Sequence, residues 1–200
     1  METDGYKIRD QSKPHFVTLT VVDWIDIFTR KSYKDDIISS LQYCIENKGM
    51  LLYGYVIMSN HIHMIVQSTE GDLSGLLRDF KKFTAKAILD HIQTKPESRR
   101  EWMLQLFQKA TKTHKRNSHY QFWKYGNHPE EIYSQKFLWS KLDYIHLNPI
   151  RAGIVSKASY YLYSSASNYV NSQGLLPITL ADNPVIDVHS DQEFWKSIVW

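Results

Sequence analysis

His61 and His63 are separated by a single residue. The run that holds them, HIHMIVQ, reads as a β-strand, and side chains at positions i and i+2 of a strand leave it on the same side. Both imidazoles then project together while Ile62, Met64 and Val66 take the core side. Two neutral nitrogen ligands aimed at one point are what a metal site needs. Spacing alone leaves a structural or solvent-exposed pair open. Farther along, residues 141–149 read KLDYIHLNP. Tyr144 and Asn148 are four apart, so on a helix they stand one above the other on one face. If that helix crosses the sheet face bearing the histidines, Asn148 completes the metal site and Tyr144 is presented beside it. Without the histidine pair, Tyr144 would read as an ordinary buried tyrosine. His146 lies about 200° around the helix from Tyr144 and is expected to face away, as a packed or capping residue.

Positioning these groups takes a sheet and several helices. Residues 15–22 (HFVTLTVV) are β-branched and aromatic and read as a strand. Residues 35–47 carry apolar side chains at helical spacing, and Gly49 stops them. Residues 50–58 and 61–67 form a hairpin around Ser59-Asn60. Residues 73–92 make a long amphipathic helix, and residues 121–125 read as a fourth strand. A helix over residues 135–147 is expected to end at Pro149. Strand, helix, strand, strand, helix, strand predicts an α+β fold, a ferredoxin-like split βαβ sandwich with an antiparallel sheet, plus a C-terminal helix carrying the tyrosine. Both crossover helices would cover one sheet face, leaving the other to a ligand or to the last helix. One domain is expected over residues 1–170, with a basic arm or insertion at about 95–120 and a peripheral tail at 171–200.

The charge is uneven. Between Arg78 and Arg116 stand eleven Lys or Arg against four Asp or Glu, on a chain whose formal net charge is only +3. Arg78, Lys82 and Lys86 step by four along the long helix with Lys81 beside them, and Lys109, Lys112, Lys115 and Arg116 follow in the arm. A local basic block on a nearly neutral chain suits a polyanion, and a solvated helix face is the alternative. The single cysteine, Cys44, rules out an intramolecular disulfide and a zinc-finger spacing, as in a protein of the reducing cytoplasm. No signal-like apolar region opens the chain, and the longest apolar run, residues 50–58, falls far short of the roughly 20 residues a membrane span takes.

Residues 55–66 (YVIMSNHIHMIV) resemble the His-hydrophobic-His core of the single-tyrosine HUH transposases. Residues 80–84 (FKKFT), Phe122-Trp123, residues 143–151 (DYIHLNPIR) and Ser164-Ser165-Ala166 sharpen the likeness to the REP-associated tyrosine transposases, relatives of simple insertion-sequence transposases. The likeness covers roughly residues 14–170. It implies that His61 and His63 bind a divalent cation, that Tyr144 is the nucleophile, and that Asn148 matches the polar third ligand one turn after the tyrosine, where relatives often use glutamine. Two imidazoles and one amide oxygen suit Mg²⁺ or Mn²⁺.

The same resemblance implies metal-dependent cleavage and strand transfer of hairpin-forming single-stranded DNA through a covalent 5′-phosphotyrosine. The basic stripe and arm would neutralise phosphates, Tyr125 and Trp123 could stack on bases, and a core role for Trp123 is an equal alternative. The branch implies a monomer rather than a homodimer. Two rivals are a non-catalytic, domesticated DNA-binding regulator and a metal hydrolase in which water attacks.

Overall fold

β1 (His15–Thr20) lies antiparallel to β3 (His61–Ser68), with Thr18 opposite His63 and Thr20 opposite His61. β2 (Met50–Ile57) pairs antiparallel with the other side of β3. The computed structural model describes residues 7–112 and 119–182. A two-residue β4, Glu130–Glu131, pairs with β1 and completes the order β2-β3-β1-β4. This is the antiparallel order of the ferredoxin-like split βαβ sandwich, as the succession of elements predicts. β3 is interior to the sheet, which gives the histidine-bearing strand hydrogen-bonded neighbours on both sides.

The two sheet faces follow from strand alternation. His15, Val17 and Leu19 share one face with Ile62, Met64 and Val66. That face is covered by α1 (Lys31–Asn47) and α2 (Leu73–Thr94), which also pack on each other. Phe16, Thr18 and Thr20 share the opposite face with Ile65, His63 and His61, and α4 (Gln135–Arg151) packs there. Gly54 of β2 makes the close approach possible: a Cβ on it would stand 2.5 Å from Leu142 Cδ2 of α4. The missing side chain is what lets the helix rest on the strand.

Three sequence expectations are revised. Residues 121–125 are not a ladder strand. They run beside β1 through a lone Val21–Trp123 bridge, with Val22 N donating to Phe122 O at 2.9 Å and Lys124 N to Thr20 O at 2.8 Å. Positive φ at Gly126 (78°) and His128 (41°), followed by Pro129, breaks the run before β4. Trp123 is buried, its indole N–H donating to Thr84 Oγ1 at 3.1 Å, so it belongs to the core. Nor does Pro149 end the helix, which continues to Arg151. Within one turn of the end a proline forfeits a single backbone bond. The stop is Gly153 (φ 70°), with Gly153 N donating to Ile150 O and Ile154 N to Pro149 O, a Schellman closure. Finally, the apolar island of the expected basic arm is α3 (Arg100–Thr111), whose Met103 and Phe107 are fully buried.

The free edge of β2 is occupied. Ile57 N donates to Tyr163 O at 2.9 Å, Ser165 N to Tyr55 O at 3.0 Å, and Thr179 N to Leu52 O at 2.8 Å. These bonds cover an edge that would otherwise be open to pairing with another chain, and they explain Ser164-Ser165-Ala166 as a clamp. Ser165 Oγ also accepts from Tyr55 N at 2.9 Å and lies 2.8 Å from His146 Nε2. Burial pushes the His146 imidazole down to about 3. His146 is therefore packed away from Tyr144, as the helix geometry predicts.

Candidate functional site

α4 carries Tyr144 over the histidine face of the sheet. The Tyr144 ring stands edge-on to His63 with centroids 5.1 Å apart, and the His61 and His63 rings are 4.7 Å apart. Phe16 of β1 stacks on His63 at 5.4 Å and meets Tyr144 edge-on at 5.9 Å. Tyr144 remains 42% exposed, whereas His63 is buried.

Each imidazole is held at Nδ1. His63 Nδ1 is 2.9 Å from Thr18 Oγ1, and His61 Nδ1 is 2.8 Å from Asn60 Oδ1. The Asn60 amide can face only one way, because its Nδ2 donates to Asp26 Oδ1 at 2.9 Å and to Trp24 O at 3.2 Å. Asn60 Oδ1 is then an acceptor, so His61 Nδ1 carries the proton and Nε2 offers its lone pair. Burial lowers both imidazoles from their ordinary value, His63 to about 3 with His61 and Lys141 adding to the effect. A neutral ring whose Nε2 keeps its lone pair, as at His61, is the form that ligates a metal.

The donor set fits a divalent cation that takes its remaining ligands from oxygen. Among the described residues no group of three His, Cys, Asp or Glu is gathered, so such a cation would draw its further ligands from amide, hydroxyl or carbonyl oxygens, phosphate or water. Asn148 is half-buried, and its Nδ2 donates to Tyr144 O at 3.3 Å. That bond ties the amide back along α4 through its Nδ2.

Lys141 and Arg151 were not assigned from sequence. Lys141 Nζ sits 4.6 Å from the Phe16 ring centroid and is paired with Glu130 at 2.8 Å. The Arg151 guanidinium lies 5.9 Å from the centre of the Tyr144 ring. A spacing of seven returns to the same helix face after two turns, so Arg151 was findable from its distance to Tyr144. Lys141, three residues before Tyr144, follows the same rule.

The expected basic stripe is divided. Lys82 and Lys86 are exposed, and Arg78 is exposed beside Asp79 at 3.0 Å. Lys81 instead turns inward, donating to Lys124 O at 2.8 Å, Asn127 Oδ1 at 3.0 Å and Gly126 O at 3.3 Å. Burial lowers its amine to about 8. Lys81 thus tethers the loop along β1 rather than offering a free cation. Lys112 is exposed, while Lys115 and Arg116 lie outside the described residues.

A family model described as IS200-like transposase matches residues 9–146, a span that holds His61, His63 and Tyr144 and stops short of Asn148. A solved structure described as a REP-associated tyrosine transposase bound to a REP hairpin is similar in fold, with a TM-score of 0.61 over 89% of this chain and 91% of that chain at 18% identity. No curated protein matches the chain. None of the described helices is long and apolar enough to cross a membrane.

Proposed function

The chain belongs to the IS200-like transposases, and on that premise we propose that it cleaves and rejoins single-stranded DNA through a covalent link to Tyr144, with a divalent cation held by His61, His63 and the Asn148 amide. The observation that carries this reading is the Tyr144 ring 5.1 Å from His63, beside two imidazoles that are each held at Nδ1. A bound Mg²⁺ or Mn²⁺ would draw charge from a non-bridging phosphate oxygen.

The chain's own groups do the rest. Tyr144 Oη forms a bond to phosphorus as the bond from phosphorus to the 3′ oxygen breaks. Its proton leaves to solvent, and the departing 3′ oxygen gains one. The products are a 5′-phosphotyrosine and a free 3′-hydroxyl. The phosphodiester is conserved as a phosphotyrosyl ester, so a 3′-hydroxyl can reverse the step without ATP. Arg151, over the tyrosine ring, offers positive charge where the phosphate must sit. The REP hairpin in the similar solved structure supports a hairpin-forming strand as substrate.

The test is trapping. A hairpin-bearing strand labelled at its 3′ end, incubated with Mn²⁺, should yield a labelled protein band on a denaturing gel. A strand that binds and is cut without any such band would transfer the reaction to water; one that binds and is never cut would make the chain a DNA-binding regulator.

Two further results are expected. Asn60→Ala removes the acceptor that holds His61 Nδ1 and should weaken Mn²⁺ binding about 10- to 100-fold, measured by calorimetry. Unchanged affinity would show that Asn60 does not orient the ligand. Replacing Lys82 and Lys86 together by Ala should flatten the salt dependence of single-stranded DNA binding by roughly 0.7 in log–log slope per lost phosphate contact. An unchanged slope would leave the stripe a solvated helix face.

A further inference from the structure

Trp24 is a large aromatic side chain left 55% exposed beside the histidine pair. Its ring is edge-on to His61 with centroids 6.0 Å apart. The backbone that places it is unusual: Asp23 and Trp24 both lie in the left-handed region, with φ of 52° and 55°. Non-glycine residues avoid that region, and they persist there where the surroundings over-determine them. Here the surroundings are visible. Trp24 N donates to Val21 O at 3.2 Å, and Trp24 O accepts from Asn60 Nδ2, the amide that also holds His61.

A packing role does not account for this conformation, since the indole is mostly in solvent and its N–H has no partner among the described residues. What lies against it is a cation. Lys124 Nζ stands 4.4 Å from the ring centroid, and Lys124 N is tied to Thr20 O at 2.8 Å, Thr20 being the cross-strand partner of His61. Lys124 also lines a groove of about 450 Å³ with Arg78, Lys82, Tyr120 and Tyr125. A flat π surface, an unused N–H donor and a cation against the ring that also borders a groove carrying Arg78 and Lys82 match a polymer that alternates planar bases with phosphates.

We propose that Trp24 is a base-stacking platform: a nucleotide flanking the scissile phosphate lays its base on the indole, and Lys124 neutralises the adjoining phosphate. The inference rests on the reading that single-stranded DNA is cut at Tyr144, and it adds the subsite that sets which phosphate of a flexible strand reaches the histidines. A stacked base fixes the strand beside the site at low cost in specificity, because every base has a π face.

The experiment uses the full chain and a synthetic DNA hairpin with a single-stranded flank, 2-aminopurine being placed at one flank position at a time. One position should lose fluorescence on binding wild type, keep it with Trp24→Ala and lose part of it with Trp24→Phe. Trp24→Ala should weaken binding about tenfold. An abasic site at the responsive position should cost wild type the same factor and cost Trp24→Ala nothing more, while thermal unfolding of both variants stays at the wild-type midpoint. No responsive position, a response that survives Trp24→Ala, or two penalties that multiply would overturn the platform. Scoring the covalent adduct on the same strands separates the two ideas: an intact adduct with no stacking response rejects Trp24 alone, and a stacking response with no adduct rejects the phosphotyrosine alone.

Discussion

Tyr144→Phe is expected to form no covalent adduct and to leave hairpin binding unchanged. The tyrosine hydroxyl makes no hydrogen bond among the described residues, and the ring contacts with His63 and Phe16 at 5.1 Å and 5.9 Å are available equally to phenylalanine. Only the attacking oxygen is lost, so stability should stay within about 0.5 kcal/mol of wild type, as for surface changes generally. Where a nucleophile is removed from an enzyme that works through a covalent intermediate, the rate falls by as much as about 10⁶-fold. Strand cleavage by the variant at an undiminished rate would mean that water or another residue attacks, and the phosphotyrosine mechanism would be wrong although the fold and family stand.

The second large effect is expected at the histidines. His61→Ala should abolish the adduct through loss of the cation rather than of the nucleophile, and should abolish Mn²⁺ binding seen by calorimetry. Chelation of wild type should reproduce the loss of activity while shifting the unfolding midpoint little, because the sheet, α1, α2 and α4 are joined by a continuous apolar core. The lesions separate on titration. Excess Mn²⁺ should recover part of the activity of Asn148→Ala, where a ligand is weakened, and none of Tyr144→Phe. Full activity in chelator, with Mn²⁺ binding shown to be absent, would reject the metal role.

His61 is the better choice than His63 for that experiment. His63 is 5% exposed, stacked on Phe16 and bonded to Thr18, so its removal opens a cavity and leaves Thr18 Oγ1 without its partner. His61 is less buried, and its substitution leaves Asn60 tied to Asp26 and Trp24.

Much of the candidate site is legible in the sequence because its parts obey local periodicities. A period of two places His61 and His63 on one side of a strand whatever that strand packs against. A period of 3.6 sets Tyr144 and Asn148 on one side of a helix and His146 on the other. The alternation of strands and amphipathic helices carried the split βαβ order, and the spacing of the histidine pair and the tyrosine segment carried the likeness to the IS200-like transposases. These are relations between residues a few positions apart, and backbone geometry enforces them independently of the rest of the fold.

Tertiary packing settled what neighbouring residues do not encode. That α4 rests on the histidine face depends on Gly54, whose absent side chain admits Leu142 from far along the chain. Lys81 repeats with the other basic residues of α2, yet its amine is bonded to the loop at 124–127, and nothing in residues 78–86 distinguishes it from Lys82. The run at 121–125 has strand composition but lies against β1 by only a few bonds, because the turn beyond it bends the chain away. Pro149 is tolerated because the Gly153 closure lies so close behind it. Trp24 has no motif at all; only the fold brings residue 24 beside residue 61 and residue 124 over its ring. Burial and long-range contact are collective properties of packed elements, so the same lysine or tryptophan is solvent-facing in one context and part of a site in another.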